Sequence, residues 1–265
     1  MRDLSGSGRA DLMVQNGGSV SEGTLLGVVD FGGHSAELLL GTVTLGGRSG
    51  GTTGTGSGLL TFTDGYFDAT TVNLAQRIGS TLTTGTVTGT LMLAGLSQST
   101  VVLIGSLNMS RNSVSSATSS GGAESLVEIG GQGLVQIAAL DMGLLSVSGA
   151  VATSGLSSLF SVSGGQTFIS NIQMAVNAAA PTVTESTLAV STLRVSGGSL
   201  SVAGGINMGG TLGNALNRTQ NSIEIEGSGS LLVNGGISYA KGPGAEEMAV
   251  RLKGGSLDMM GSAVG

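Results

Sequence analysis

Cysteine and tryptophan are absent from the 265 residues, proline occurs twice, and phenylalanine and tyrosine together number seven. Without cysteine there is neither a disulfide framework nor thiol chemistry. With so few rings the interior has to be thin and aliphatic, unlike the broad mixed core of a typical enzyme domain. Lysine is nearly missing as well: Lys241 and Lys253 are the only two, and the net charge is −6. A nucleic-acid surface needs clustered cations to displace counterions from phosphates, so no nucleic-acid partner is expected. Long apolar runs are also lacking. Residues 142–184 carry no formal charge, but Gly, Ser, Gln and Asn interrupt them, and no window of about 18 apolar residues forms. Membrane insertion of this segment is not expected.

What the chain does have is 49 glycines, with 40% apolar and only 10% charged residues. Glycine keeps no period of three, which excludes collagen. The apolar content is too high, and the charge too low, for simple disorder. Helical periodicity is sustained nowhere, and glycine at this density disfavours helices by about 1 kcal/mol per residue relative to alanine.

Short apolar pieces that run into glycine pairs recur along the chain. From Thr192 it reads TLRVSGG, SLSVAGG, INMGG; from Ser125, SLVEIGG, QGLVQIA, ALDMG. Within each piece apolar residues alternate with small or polar ones, as in Leu193 and Val195, the period of a strand with one buried face. Strand starts fall at Leu59, Leu91, Leu126, Leu159, Leu193, Ile223 and Val250, 27 to 35 residues apart. Strands this short, closed this often by glycine, have to wind. The expected fold is all-β: a parallel β-helix (β-solenoid) with three short strands per coil and a variable loop.

One column supports the alignment. The third strand of successive coils reads Val72-Asn73-Leu74, Leu107-Asn108-Met109, Leu140-Asp141-Met142, Ile172-Gln173-Met174, Ile206-Asn207-Met208 and Ile237-Ser238-Tyr239. Val29-Asp30-Phe31 reads as an earlier, displaced copy. The outer residues of each triplet are expected inward. The middle ones, Asn73, Asn108, Asp141, Gln173, Asn207 and Ser238, are expected to form an outward polar column. Such a column can bind a ligand or stack amides along the fibre; stacking is favoured, because acids and a serine interrupt the amides.

Segments 110–124, 143–157, 176–191, 209–222 and 241–249 are rich in Ser, Gly, Asn and Thr and read as loops on one corner, where insertion costs little. Residues 1–56 follow the pattern less faithfully and read as irregular N-terminal coils with a glycine-rich insertion at 46–58. Regular coils are expected over 57–265, so that 1–265 is a single solenoid domain. A rung orders about 30 residues at roughly 1 to 2 kcal/mol each, while its five or six aliphatics return only about 1.5 to 3 kcal/mol apiece, so each rung needs its neighbours. The pattern stops at Gly265 without a polar cap, which predicts an open strand edge: the chain is expected to be a fragment of a longer one, or to have that end covered by something else.

His34 is the only histidine, and Gly47-Arg48-Ser49-Gly50-Gly51 fits the G-x-S-x-G pattern, but without the strand and helix that a nucleophile elbow needs. One histidine and no cysteine exclude the usual zinc cage, and no cofactor is expected. Three carboxylate pairs remain: Asp64 with Asp68, Glu224 with Glu226, and Glu246 with Glu247. Glu224 and Glu226 share one strand face, as paired acid chemistry on a polysaccharide would require, but a solvated strand face is the plainer account. Tyr66, Phe67 and Tyr239 are the candidate exposed rings. No catalytic residue is expected.

The pieces LRVSGGSLSVAGGINMGG and IEIEGSGSLLVNGGISYAKG resemble the β-helical repeat regions of bacterial surface proteins. These are autotransporter passengers, autotransporter-associated β-strand repeats, and glycine-rich exported proteins with PEP-CTERM sorting tails. The resemblance implies a right-handed β-helix, secreted or at the cell surface, serving as a stalk, adhesin or matrix component. Its expected partners are adjacent coils of the parent chain and glycans or a host or matrix surface. The alternative is a carbohydrate-active β-helix, either a polysaccharide lyase or hydrolase or a glycan binder.

Overall fold

A computed structural model of the chain describes residues 1–2, 6, 8–17, 23–49, 53–79, 84–115, 118–148, 151–152, 154–180, 182–183 and 186–260. It is all-β and 73% strand, with parallel strands stacked as a β-solenoid of about 7 turns. Strand pairing joins eighteen strands into one continuous sheet. Each coil contributes three strands to the main column. Gly122–Gly131, a first strand, lies between Val87–Leu96 and Gly155–Val162. Leu134–Asp141, which supplies the second and third strands, lies between Val101–Asn108 and Gln166–Gln173.

The inward first-strand column is Leu60, Leu91, Val127, Phe160, Leu193 and Ile223, each 0% exposed and stacked on the next. The expected starts at Leu126 and Leu159 do pair with each other, as do Leu193 with Ile223 and Ile223 with Val250. However, Leu91 pairs with Leu60 and Val127, and Leu193 pairs with Phe160. Leu59, Leu126 and Leu159 therefore face outward and are only half-buried. Where two apolar residues are adjacent, as in Leu59-Leu60, Leu126-Val127 and Leu159-Phe160, alternation alone does not choose the phase, and a shift of one residue exchanges the faces. Phe62 and Phe67 form a close ring pair in the core, centroids 5.6 Å apart.

Register also runs back through the N-terminal segment. Thr24–Arg48 pairs with Thr55–Gly79 from Thr24 opposite Thr55 to Arg48 opposite Arg77. Val29-Asp30-Phe31 is thus a first strand, stacked on Leu60-Thr61-Phe62, and not a displaced third strand. The third strand of that coil is Val43-Thr44-Leu45, with Leu12-Met13-Val14 below it. Of the expected insertion at 46–58, Gly56 and Gly58 lie within a first strand; residues 50–52 fall outside the described residues.

The segments expected as loops carry a fourth stacked piece. Gln76–Gly79 pairs with Arg111–Val114, which pairs with Leu144–Leu145, which pairs with Val176–Asn177. Between this piece and the start of each first strand lies a second apolar cluster that includes Val87, Val114, Leu145, Val147, Leu156 and Val183. A composition of small and polar residues reads as loop, yet here small side chains allow close packing and buried Asn side chains satisfy the main chain. Asn177 Nδ2 donates to the carbonyls of Thr187 and Arg218, and Asn217 Nδ2 to those of Ala179 and Leu212.

The two cores lie along the same inward face of the first strand, divided where that strand meets the bend after the third strand, and the column at the crossing is Gly27, Gly58, Gly89, Ser125, Ser158, Ser191 and Asn221. At Gly58 a Cβ would stand 2.3 Å from the Gly46 nitrogen, so no side chain fits. Higher in the stack polar side chains occupy the column. Ser191 Oγ accepts from the Ala175 amide, and Asn221 Nδ2 donates to the Ala175 carbonyl. In the last described strand Val250 and Leu252 occupy inward positions and are 42% and 58% exposed.

Candidate functional site

The six residues of the polar column fall into one register. Asn73 lies opposite Asn108, then Asp141, Gln173, Asn207 and Ser238. All face outward; the first five are half-buried and Ser238 is exposed. Amides bond along the stack: Asn108 Nδ2 donates to Asn73 Oδ1 at 2.9 Å, and Asn207 Nδ2 to Gln173 Oε1 at 2.9 Å. Asp141 interrupts the ladder. Its Oδ1 accepts from the Gly143 amide at 3.0 Å, and burial holds its carboxyl above the usual carboxylate range, partly offset by that bond and by Arg111.

The carboxylate pairs are drawn apart. Glu224 and Glu226 do share one face, but Glu224 sits between Arg194 at 3.1 Å and Arg251 at 3.5 Å, and Glu226 pairs with Lys253 at 3.3 Å. Asp68 accepts from Nη1 and Nη2 of Arg9, at 2.9 and 2.7 Å. Asp64 turns to Ser97, Ser35 and Thr100 at the corner between first and second strands, and these hydroxyls hold its carboxyl below the usual range. Glu246 and Glu247 face opposite ways: Glu246 accepts from the Thr211 and Gly242 amides, while Glu247 meets Gln220 and Arg251. Most of these acids bond to residues of another rung.

His34 is exposed at the turn after a first strand, whereas Ser49 follows the fourth piece of the coil; Gly50 and Gly51 lie outside the described residues. Among the described residues no three His, Asp or Glu side chains cluster as metal ligands would. Arg77 is 1% exposed beside the second core, where its Nη1 donates to Asn112 Oδ1 at 3.0 Å. Burial, with Arg48 nearby, lowers its pKa to about 10.

A groove of about 410 Å³ runs along the corner between second and third strands. Its floor is an outward second-strand column, Asp68, Leu103, Gln136, Phe168 and Ser201, each opposite the next. Its rim is the corner residues Gly105, Ala138, Ser170 and Ala203, whose small side chains leave the floor uncovered. Phe168 is 43% exposed in it.

No family model, no curated protein and no solved structure matches the chain.

Of the rings expected at the surface, Phe67 is fully buried in the core, Tyr66 is half-buried, and Tyr239 is 54% exposed on the third strand. Phe168 was not among them. The signal was present in the piece QTFI, which pairs residue for residue with SLSV: Thr167 lies opposite Leu200 and Phe168 opposite Ser201. Hydrophobicity ranks Phe168 inward, but register with Leu200 and Val202 turns it out and places Thr167 inside.

Proposed function

We propose that the chain is a non-catalytic structural or adhesive module of a secreted or cell-surface bacterial protein, an extended solenoid whose lateral surface makes contacts. One observation carries this reading. The carboxylates that could form an acid pair are used between rungs, as in Glu224 between Arg194 and Arg251, while the Phe168 groove is left open. Ion pairs between rungs and a continuous, mainly aliphatic core suit a stalk. An exposed ring in a groove suits a surface that touches something else.

The test has two arms. Beads coated with the chain should adhere to glycan-coated or matrix-protein-coated surfaces more than bare beads do. Incubation with neutral and acidic polysaccharides should give no turnover. Turnover abolished by Glu224→Gln or Glu226→Gln would replace this reading with that of a polysaccharide lyase or hydrolase.

A further inference from the structure

We propose that the groove floored by Phe168 binds a linear, uncharged glycan laid across the rungs. The proposal rests on the adhesive reading above and names the ligand class and the residues that take it.

The groove runs perpendicular to the strands. Its five floor positions span four rung spacings of roughly 4.8 Å, about 19 Å in all. Because Val101–Asn108, Leu134–Asp141 and the second-strand part of Gln166–Gln173 are each paired on both sides, their main-chain groups are spent within the sheet. A peptide cannot add there as a further strand, so recognition falls to side chains.

Those side chains are an aromatic face and uncommitted hydrogen-bonding groups. Among the described residues, the Gln136 amide and the Ser170 and Ser201 hydroxyls have no hydrogen bond to another protein group, whereas the column amides Asn73, Asn108, Gln173 and Asn207 bond along the stack. Gln136 and Ser170 are exposed, flanking Phe168 from the preceding rung and from the rim. A ring face beside free amide and hydroxyl groups matches a ligand with apolar C–H faces and many hydroxyls. The one charge in the groove, Asp68, is matched by Arg9 at 2.7 Å, which favours a neutral sugar over an acidic one.

The experiment titrates the full chain with β-1,4-linked gluco- and manno-oligosaccharides, and with oligogalacturonate as the acidic comparison, by calorimetry and by amide NMR shifts. A neutral oligomer should bind, shifting residues around Phe168, and oligogalacturonate should bind more weakly. Phe168→Ala should lose about tenfold in affinity at unchanged thermal stability, because the ring lies at the surface. Tyr239→Ala, an exposed ring on the third strand outside the groove, should bind as the parent does. Preference for the acidic oligomer, no binding of either neutral one, or equal binding by Phe168→Ala would overturn the proposal. Bead adhesion that survives Phe168→Ala would remove the groove and leave the adhesive reading standing. Turnover of the oligosaccharides would remove the adhesive reading itself.

Discussion

Asn108 donates from Nδ2 to Oδ1 of Asn73, one rung away and 2.9 Å distant, although the two residues are separated by 35 positions in the chain. Asn207 and Gln173 repeat the contact at 2.9 Å. Between these two pairs stands Asp141, whose carboxylate cannot donate to Asn108 and is partly desolvated.

Asp141→Asn should therefore stabilise the chain at neutral pH by about 1 kcal/mol, the value of one amide hydrogen bond. Its Oδ1 can still accept from Gly143, and its Nδ2 gains Asn108 as an acceptor. The pH dependence has a definite sign. The carboxyl is raised in the folded chain, so the folded form takes up the proton first, and the parent gains stability as pH falls through the raised value. Denaturant melts of both proteins from pH 7 downward should show the advantage of Asn shrinking. An advantage that grows toward acid would show that the carboxylate is stabilised in place.

Thr167 is 1% exposed in the inward second-strand column between Val135 and Leu200, and its Oγ1 has no hydrogen-bond partner. Removing a buried, unsatisfied hydroxyl while keeping the shape should help. Thr167→Val is expected to raise stability by about 1 kcal/mol, read as a higher denaturation midpoint. A lower midpoint would mean that the hydroxyl has a partner in solution.

The one-residue register of the first strands can be tested at Leu159 and Phe160. Phe160 is 0% exposed, and truncation to Ala should cost about 3 to 5 kcal/mol. Leu159 faces outward, and Leu159→Ala should cost about 1 kcal/mol or less. Comparable losses at both positions would contradict the pairing of Phe160 with Leu193.

Gly89 stands where the first strand passes the corner of the coil. A Cβ there would lie 2.4 Å from both the Ala75 nitrogen and the Leu45 carbonyl oxygen, main-chain atoms that cannot swing aside. Gly89→Ala should cost about 3 kcal/mol or more. In the same column Ser158 has room, and Ser158→Ala should lose only the bond from Ser125, about 1 kcal/mol. Circular dichroism melts of the two variants side by side would check the ratio.

The amide column was legible because it needs only local information. A polar residue between two apolar ones, repeated after a glycine-closed strand, names both its own face and its stacking partner, and the register from Asn73 to Ser238 follows. The second core was not legible. Asn177, Asn217 and Thr187 have a loop composition, and only their mutual bonds, such as Thr187 Oγ1 to Asn217 Oδ1 at 3.0 Å, show that they are interior. Phe168 was hidden for the converse reason: a large apolar residue reads as core unless its neighbours in the stack are known.

By itself, the amino-acid sequence determined that the chain alternates with period two, turns at glycine and winds into parallel coils, since strand alternation and left-handed turns are properties of a few consecutive residues. Tertiary structure alone decided which of two adjacent apolar residues entered the column, as with Leu159 and Phe160, and that a fourth stacked piece encloses a second core. It also turned Phe168 outward into the groove. These choices rest on contacts between residues about one coil apart, as in the 30 positions between Thr187 and Asn217, where packing across rungs and not local propensity sets the lowest energy.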